Sequence, residues 1–259
     1  GFGCYSRATL LDGLIQGPRA QRLLRRIEAM ILAAADWVIA PTQLALEQLA
    51  CDLALPAKPA HWRVIPHART GIAPITRTDA RIQLNWASTD IYILGIGRIV
   101  PLKRFDLLLN ACITIAARYP TLHLQLLGSG DCASLQEQAD NAGFGQRIHF
   151  ALTDDVTAYL RAADIYVSTS ATESFGLANL EALAAGLPAV CAAVGGVPEV
   201  VGDGAWLIPG EMHTLSRVLA DLLDDTARRL SLGQRGAEQA ARWPDLGTIT
   251  DAYAALYQE

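Results

Sequence analysis

From residue 91 to residue 208 the chain repeats one unit: a short apolar run, then a stretch whose apolar residues recur at helical spacing. The runs cover residues 91–97, 122–128, 147–151, 164–168, 189–191 and 205–208. The helical patterns between them cover residues 104–118, 131–142, 155–163 and 174–185. Pro120 ends the first pattern, and Gly186 stands just past the last, where a left-handed residue closes a helix. Strands that are apolar throughout must be covered on both faces. Alternating them with helices predicts an α/β fold, a doubly wound parallel sheet of Rossmann-like type. Such sheets bind ligands beyond the carboxyl ends of their strands. The loops after Gly97, Gly128, Ala151, Ser168 and Cys191 are therefore the candidate binding loops.

The flanks are different. Upstream, the spacing predicts a helix over 19–35, a strand over 36–40, a helix capped by Thr42 and running to about residue 50, and a strand over 63–66. Residues 66–90 lack periodicity and contain Pro66, Gly71, Pro74, Thr76, Thr78, Ser88 and Thr89, the composition of an interdomain linker. Three helices, over about 212–223, 226–242 and 245–258, close the chain. At 259 residues there is room for one large domain, or one complete domain and part of another. The chain opens Gly-Phe-Gly-Cys without an initiating Met, which suggests a piece of something longer.

Composition removes several function classes. A net charge of −5 argues against a general nucleic-acid binder, which carries a basic footprint. The five cysteines (Cys4, Cys51, Cys112, Cys132, Cys191) show no C-x-x-C spacing, so neither a zinc nor a redox site is indicated. They read as free thiols of a reducing, cytoplasmic compartment. The longest uncharged stretch, 182–198, is broken by Gly186, Pro188, Gly195 and Gly196 and does not suit a membrane span.

Four loops carry the chemistry. The first reads Gly95-Ile-Gly97-Arg98-Ile-Val-Pro-Leu-Lys103-Arg104. The chain has only two lysines, Lys58 and Lys103, so a lysine at this sheet edge is informative. Arg98 and Lys103 beside free helix N–H groups suit a phosphate or pyrophosphate, although loop cations are ordinarily solvated surface charges. The second loop, Gly128-Ser129-Gly130-Asp-Cys-Ala133, completes G-x-G-x-x-A, and Asp154 follows where a ribose-binding acid belongs. That is the signal for a rival reading, an NAD-dependent oxidoreductase. The third loop runs Thr172-Glu173-Ser174-Phe175-Gly176-Leu177-Ala-Asn-Leu-Glu181. Glu173 falls in the loop and Glu181 in the helix, so both carboxylates could face one cleft, with N–H groups of residues 174–176 beside them. A capping carboxylate plus an exposed helical Glu is the plainer alternative. In the fourth, Gly195-Gly-Val-Pro-Glu199, the acid could pair with a cation or a ligand hydroxyl, or simply belong to a turn.

Taken in order, these segments resemble retaining glycosyltransferases of family 4, which have the GT-B fold. Members carry a Gly-Arg…Lys loop, a Gly-x-Gly loop, an A-D-[IV]-x-[VL]-x-x-S strand, E-x-F-G…E, G-x-P-x-[VI] and G-G-x-P-E. Here they read Gly97-Arg98…Lys103, Gly128-Ser-Gly130, Ala163-Asp-Ile-Tyr-Val-Ser-Thr-Ser170, Glu173-Ser-Phe-Gly176…Glu181, Gly186-Leu-Pro-Ala-Val190 and Gly195-Gly-Val-Pro-Glu199. The resemblance spans residues 91–209. It implies a donor nucleotide-sugar-binding domain over 91–242, a linker over 76–90, the carboxyl portion of an acceptor domain over 1–75, and a last helix, 243–259, that packs back on that domain.

The resemblance also implies roles. Arg98 and Lys103 would hold the donor diphosphate and stabilise its departure. Glu173 would contact the transferred hexose. The backbone at Ser174, Phe175, Gly176 and Leu177 would orient sugar and phosphate, and Glu181 would bind the ribose. Gly97, Gly128 and Gly130 would admit the donor, with the base near Ser129 and Leu152. The donor would be a UDP, GDP or ADP sugar, used with retention and without metal or other cofactor. The acceptor could be a glycan, a lipid or a small molecule. The basic stretch from Arg19 to Arg26 is the candidate for weak peripheral contact with the inner membrane face, against the commoner solvated helix face. Three departures stand out. Phe150-Ala-Leu-Thr153 replaces Phe-x-Gly, Pro66-His67-Ala68 replaces Pro-Asn-Gly, and no histidine matches the acceptor domain's catalytic His. A non-catalytic nucleotide-sugar binder is therefore a further alternative.

Overall fold

Along the central strands, successive side chains enter two different cores, the period-2 signature of a sheet covered on both faces. The computed structural model describes residues 18–209 and 211–258; Cys4 and the opening Gly-Phe-Gly-Cys run lie outside the described residues. Strands β3 (Ile91–Ile96), β4 (Leu122–Leu127), β5 (Ile148–Ala151), β6 (Ile165–Ser168), β7 (Ala189–Ala192) and β8 (Trp206–Ile208) follow the predicted runs. All pair in parallel, in the order β5-β4-β3-β6-β7-β8. Ile93, Ile165, Val167 and Val190 face one core, closed by helices α4 (Phe105–Ile115), α5 (Ala133–Asn141) and α9 (Met212–Asp224). Leu94, Tyr166, Ala189 and Cys191 face the other, closed by α6 (Thr157–Ala162), α7 (Leu177–Ala184), α8 (Val197–Val201) and the end of α10 (Thr226–Ala241).

The strand order reverses beside β3: the chain winds outward through β4 and β5, then returns to build β6, β7 and β8 on the other side. The carboxyl ends of β3 and β6 therefore part at a topological switch point, where this architecture leaves a crevice. The first and third candidate loops leave from these two strands.

The amino-terminal segment forms α1 (Pro18–Ala33), β1 (Val38–Ala40), α2 (Gln43–Asp52) and β2 (Trp62–Val64), with β1 and β2 paired in parallel. Thr42 caps α2 as predicted, its hydroxyl accepting from the Ala45 N–H at 3.1 Å. Arg25 and Arg26 are exposed on α1. The closing helix α11 (Leu246–Leu256) is capped by Asp245, and just before it the Pro244 carbonyl accepts from the Arg69 N–H.

The elements depart from the sequence expectation in three places. Residues 66–90, expected to carry no element, contain helix α3 (Arg77–Leu84). Its polar surface hides the periodicity; Thr76 caps its start, and Asn85 closes its end in the left-handed region at φ 55°. Helix α8 forms where only a turn was read. The helix predicted over 174–185 begins at Leu177, leaving residues 172–176 as loop. Among the described residues no helix is long and apolar enough to cross a membrane.

Candidate functional site

At the switch point a cavity of about 250 Å³ opens between the β3 and β6 loops. Seven of the candidate residues line it: Gly97, Lys103, Glu173, Ser174, Phe175, Gly176 and Leu177. Lys103 ends a single tight turn, Pro101–Lys103, that follows β3. Buried Thr169, just past β6, anchors this turn; its hydroxyl lies 2.8 Å from the Lys103 carbonyl and 3.0 Å from that of Arg104. The Ala171 N–H adds a bond to the Leu102 carbonyl at 2.8 Å. Both strand ends are thus tied together by backbone, and the Lys103 ammonium reaches the Glu173 carboxylate at 2.7 Å. The two side chains are 24% and 21% exposed, so the pair is neither dry nor fully screened.

The Glu173 loop is held from behind. The Gly196 N–H donates to the Glu173 carbonyl at 2.9 Å, and the Thr42 hydroxyl donates to the Ser174 carbonyl at 3.0 Å. Glu199 completes the brace. Its two carboxylate oxygens accept the N–H groups of Gln43 and Leu44 at 3.0 Å each. These are unsatisfied donors of the first turn of α2, where a carboxylate also opposes the helix dipole. Glu199 thus caps α2 and fastens the amino-terminal segment to the back of the loop, and it pairs with no cation among the described residues.

Glu173 and Glu181 do not share the cavity. Glu181 lies outside it, half-buried, with the Thr70 hydroxyl 3.5 Å away, and burial raises its carboxyl above the ordinary value. Helix α7 starts at Leu177, after Gly176, without any side-chain cap, and Leu177, Ala178 and Asn179 of its first turn line the cavity. Arg98 is exposed, and its guanidinium makes no hydrogen bond or ion pair with the described residues. Gly128, Ser129 and Gly130 pack on the first loop instead of the cavity: the Ile99 N–H donates to the Ser129 carbonyl at 2.7 Å. An added Cβ at Gly128 would stand 2.0 Å from the Gly97 carbonyl oxygen, so only glycine allows this contact. Leu152 is 75% exposed in the loop after β5.

That placement bears on the G-x-G-x-x-A segment. A dinucleotide fingerprint belongs to the first βα turn, at the switch point. Here it follows β4, one strand away, while the turn at the switch point carries Gly97 and Lys103. Among the described residues no group of three or more His, Cys, Asp or Glu side chains could hold a metal ion. Cys51, Cys112, Cys132 and Cys191 are free thiols.

Tyr166, Asn179 and His67 also line the cavity, none of them assigned a site role from the sequence. Tyr166 and Asn179 are buried, and the phenol donates to the Asn179 amide oxygen at 2.8 Å. Burial, reinforced by Cys191 and Glu173, pushes the Tyr166 phenol far above its ordinary value, so it stays a donor. The Asn179 amide nitrogen has no partner and leaves a buried donor at the cavity wall. His67, from the segment after β2, is the third; its ring meets Phe175 edge-on, with centroids 5.0 Å apart. Burial lowers its basicity, so the imidazole is neutral near pH 7.

Known proteins resemble the chain in sequence and in fold. A family described as glycosyl transferases group 1 matches residues 76–239. A D-inositol 3-phosphate glycosyltransferase of Geodermatophilus obscurus is 34% identical over 95% of this chain and 58% of its own. One from Streptomyces coelicolor is 31% identical over 97% of this chain and 61% of its own. The chain thus spans about 60% of the length of these two relatives. Among solved structures, sucrose-phosphate synthase from Thermosynechococcus elongatus superposes with a TM-score of 0.80 at 26% identity, over 95% of this chain and 64% of that one. Anabaena HepE, solved with UDP-glucose, shares the fold at a TM-score of 0.81 and 23% identity, over 93% of this chain and 69% of that one.

Proposed function

The chain belongs to the group 1 glycosyl transferases, and from that premise we propose that its switch-point cavity is the donor site of a retaining, family 4 hexosyltransferase that uses a nucleotide diphosphate sugar. The observation that carries this reading is the Lys103–Glu173 pair at 2.7 Å beside the uncapped start of α7. A diphosphate needs cations and oriented N–H groups, and both are present at one end of the cavity. A glycosyl centre that loses its leaving group becomes oxocarbenium-like, and a carboxylate within reach stabilises that positive charge.

In this mechanism Lys103 leaves Glu173 for the incoming diphosphate and offsets the charge that builds as the bond from sugar to phosphate breaks. Arg98, unpartnered and at the same loop, turns onto the outer phosphate. Glu173 then faces the sugar. The backbone of Ser174 to Leu177 orients phosphate and sugar, Glu181 takes the ribose, and Ser129 and Leu152 border the base. The acceptor, whether glycan, lipid or small molecule, enters from the side of the amino-terminal segment. Residues 1–75 form the carboxyl portion of the acceptor domain, α3 bridges to the donor domain at 91–242, and residues 243–259 return to the acceptor side. The setting is the reducing cytoplasm, with α1 at most grazing the inner membrane face.

Calorimetry with UDP, GDP, ADP and NAD tests the reading. One nucleoside diphosphate should bind and weaken about tenfold or more in Lys103→Ala, the cost of a lost charge-assisted hydrogen bond. Binding of NAD with no diphosphate bound would refute it. Weak turnover by this chain with tight donor binding would mark it as a nucleotide-sugar binder in isolation.

A further inference from the structure

Two aromatic side chains from outside the matched span 76–239 converge on Phe175. One is His67, edge-on at 5.0 Å and 89°; the other is Trp243, edge-on at 5.1 Å and 80°. Trp243 is fixed in turn, its indole N–H donating to the Val200 carbonyl at 3.0 Å. Edge-to-face geometry at this spacing is attractive and orients both rings. Packing alone would be served equally by Phe or Leu at position 67. Yet the ring at 67 carries two nitrogens, lines the cavity that holds Lys103 and Glu173, and forms no hydrogen bond with a described residue. A neutral imidazole presents one donor and one acceptor, the complement of a hydroxyl rather than of a phosphate.

The position within the cavity narrows the ligand group. Lys103 and the start of α7 claim the diphosphate, and Glu173 marks where the sugar begins. His67 reaches the same cavity from the segment after β2, against Phe175. We propose that His67 is a sugar-contacting residue that hydrogen-bonds a hydroxyl of the transferred hexose, with Phe175 and Trp243 holding its ring in that orientation. The inference rests on the donor-site reading and extends it: sugar recognition is shared between the donor domain and the amino-terminal segment.

The test is calorimetry on the 259-residue chain with UDP, GDP and ADP and with UDP-glucose, GDP-mannose and ADP-glucose, without acceptor. His67→Phe keeps a ring against Phe175 and removes both nitrogens. It should raise the Kd of the bound nucleotide sugar, relative to that of its diphosphate, by about three- to tenfold, the range for one hydrogen bond. His67→Gln, which keeps a donor and an acceptor, should recover most of that ratio. The proposal is overturned if the ratio is unchanged in His67→Phe, if diphosphate and sugar weaken together, or if Gln recovers nothing. Lys103→Ala separates the two readings: if it weakens the diphosphate while His67→Phe leaves the ratio unchanged, the donor site stands and His67 has no part in it. If no diphosphate binds the unaltered chain, both fall.

Discussion

At Gly195 an added Cβ would sit 2.1 Å from the Glu173 carbonyl oxygen, and φ is +49°. Any side chain there combines left-handed backbone strain with a push on the backbone of Glu173. Gly195→Ala should cost about 1–3 kcal/mol from strain alone and also weaken nucleotide-sugar binding. Gly71→Ala, where nothing lies within 4 Å of the new atom, should stay within about 0.5 kcal/mol of the parent. Thermal melts and calorimetry on both variants check this; equal effects would mean that the contact behind Glu173 is immaterial. Legibility in the sequence follows the same division. Lys103 and the 173–177 loop were readable, because one of only two lysines in the chain falls at the carboxyl edge of the sheet and an acid follows the strand next to it. His67 and Asn179 do not. A single histidine in an aperiodic segment, or an asparagine inside a helix, gains meaning only when residues far along the chain close a cavity around it.

The six central strands were readable because residues buried on both faces leave near-continuous apolar runs. Helix α3 was not, because a tertiary ion pair carries much of its attachment. Arg81, 5% exposed, donates to the carbonyls of Ala162, Ala87, Ser88 and Asp90 and to the Asp164 carboxylate at 2.9 Å. Asp164 also binds Arg77 at 2.6 Å and accepts the Tyr92 N–H at 2.9 Å. The Ala163-Asp164 motif thus staples α3 to the edge of β3 and β6, away from the site. Arg81→Ala leaves Asp164 its bonds to Arg77 and to the Tyr92 N–H but strips the carbonyls of Ala162, Ala87, Ser88 and Asp90 of this donor, so it should cost about 1–3 kcal/mol, read as a drop in the urea midpoint. Glu199 works between elements as well. Without its carboxylate, Gln43 and Leu44 lose their acceptors, and amide exchange at those two positions should quicken in Glu199→Ala while the amides of β3 and β4 keep their protection. Uniform loss of protection would instead place Glu199 in the global core of stability.

At the scale of the whole molecule, stability should depend on pH through a histidine cluster far from the cavity in sequence and at the opposite ends of the strands. His123 opens β4 and His149 lies beside it in β5, with Nδ1 of the first 3.0 Å from Nε2 of the second. Asp90 approaches His123 at 3.4 Å, and Tyr92 stacks on it at 4.9 Å. Asp90 favours the charged form of His123, but burial outweighs it, with Arg147 adding to the lowering. His149 is lowered by burial and by His123 itself. Two imidazoles sharing one contact cannot both charge without repulsion. In the unfolded chain each returns to about 6.5. The unfolded state therefore binds more protons below that value, and stability falls as pH falls. The contribution is complete above about pH 7 and is lost as pH drops through the lowered folded values. His67, lowered by burial as well, adds in the same direction; Glu181, raised by burial, opposes it at more acid pH. Urea midpoints should hold between about pH 8 and 7 and decline towards about pH 5.5. His123→Asn with His149→Gln should flatten that decline, since neither replacement titrates. A decline of the same steepness in the double variant would locate the proton uptake elsewhere and leave the cluster as packing alone.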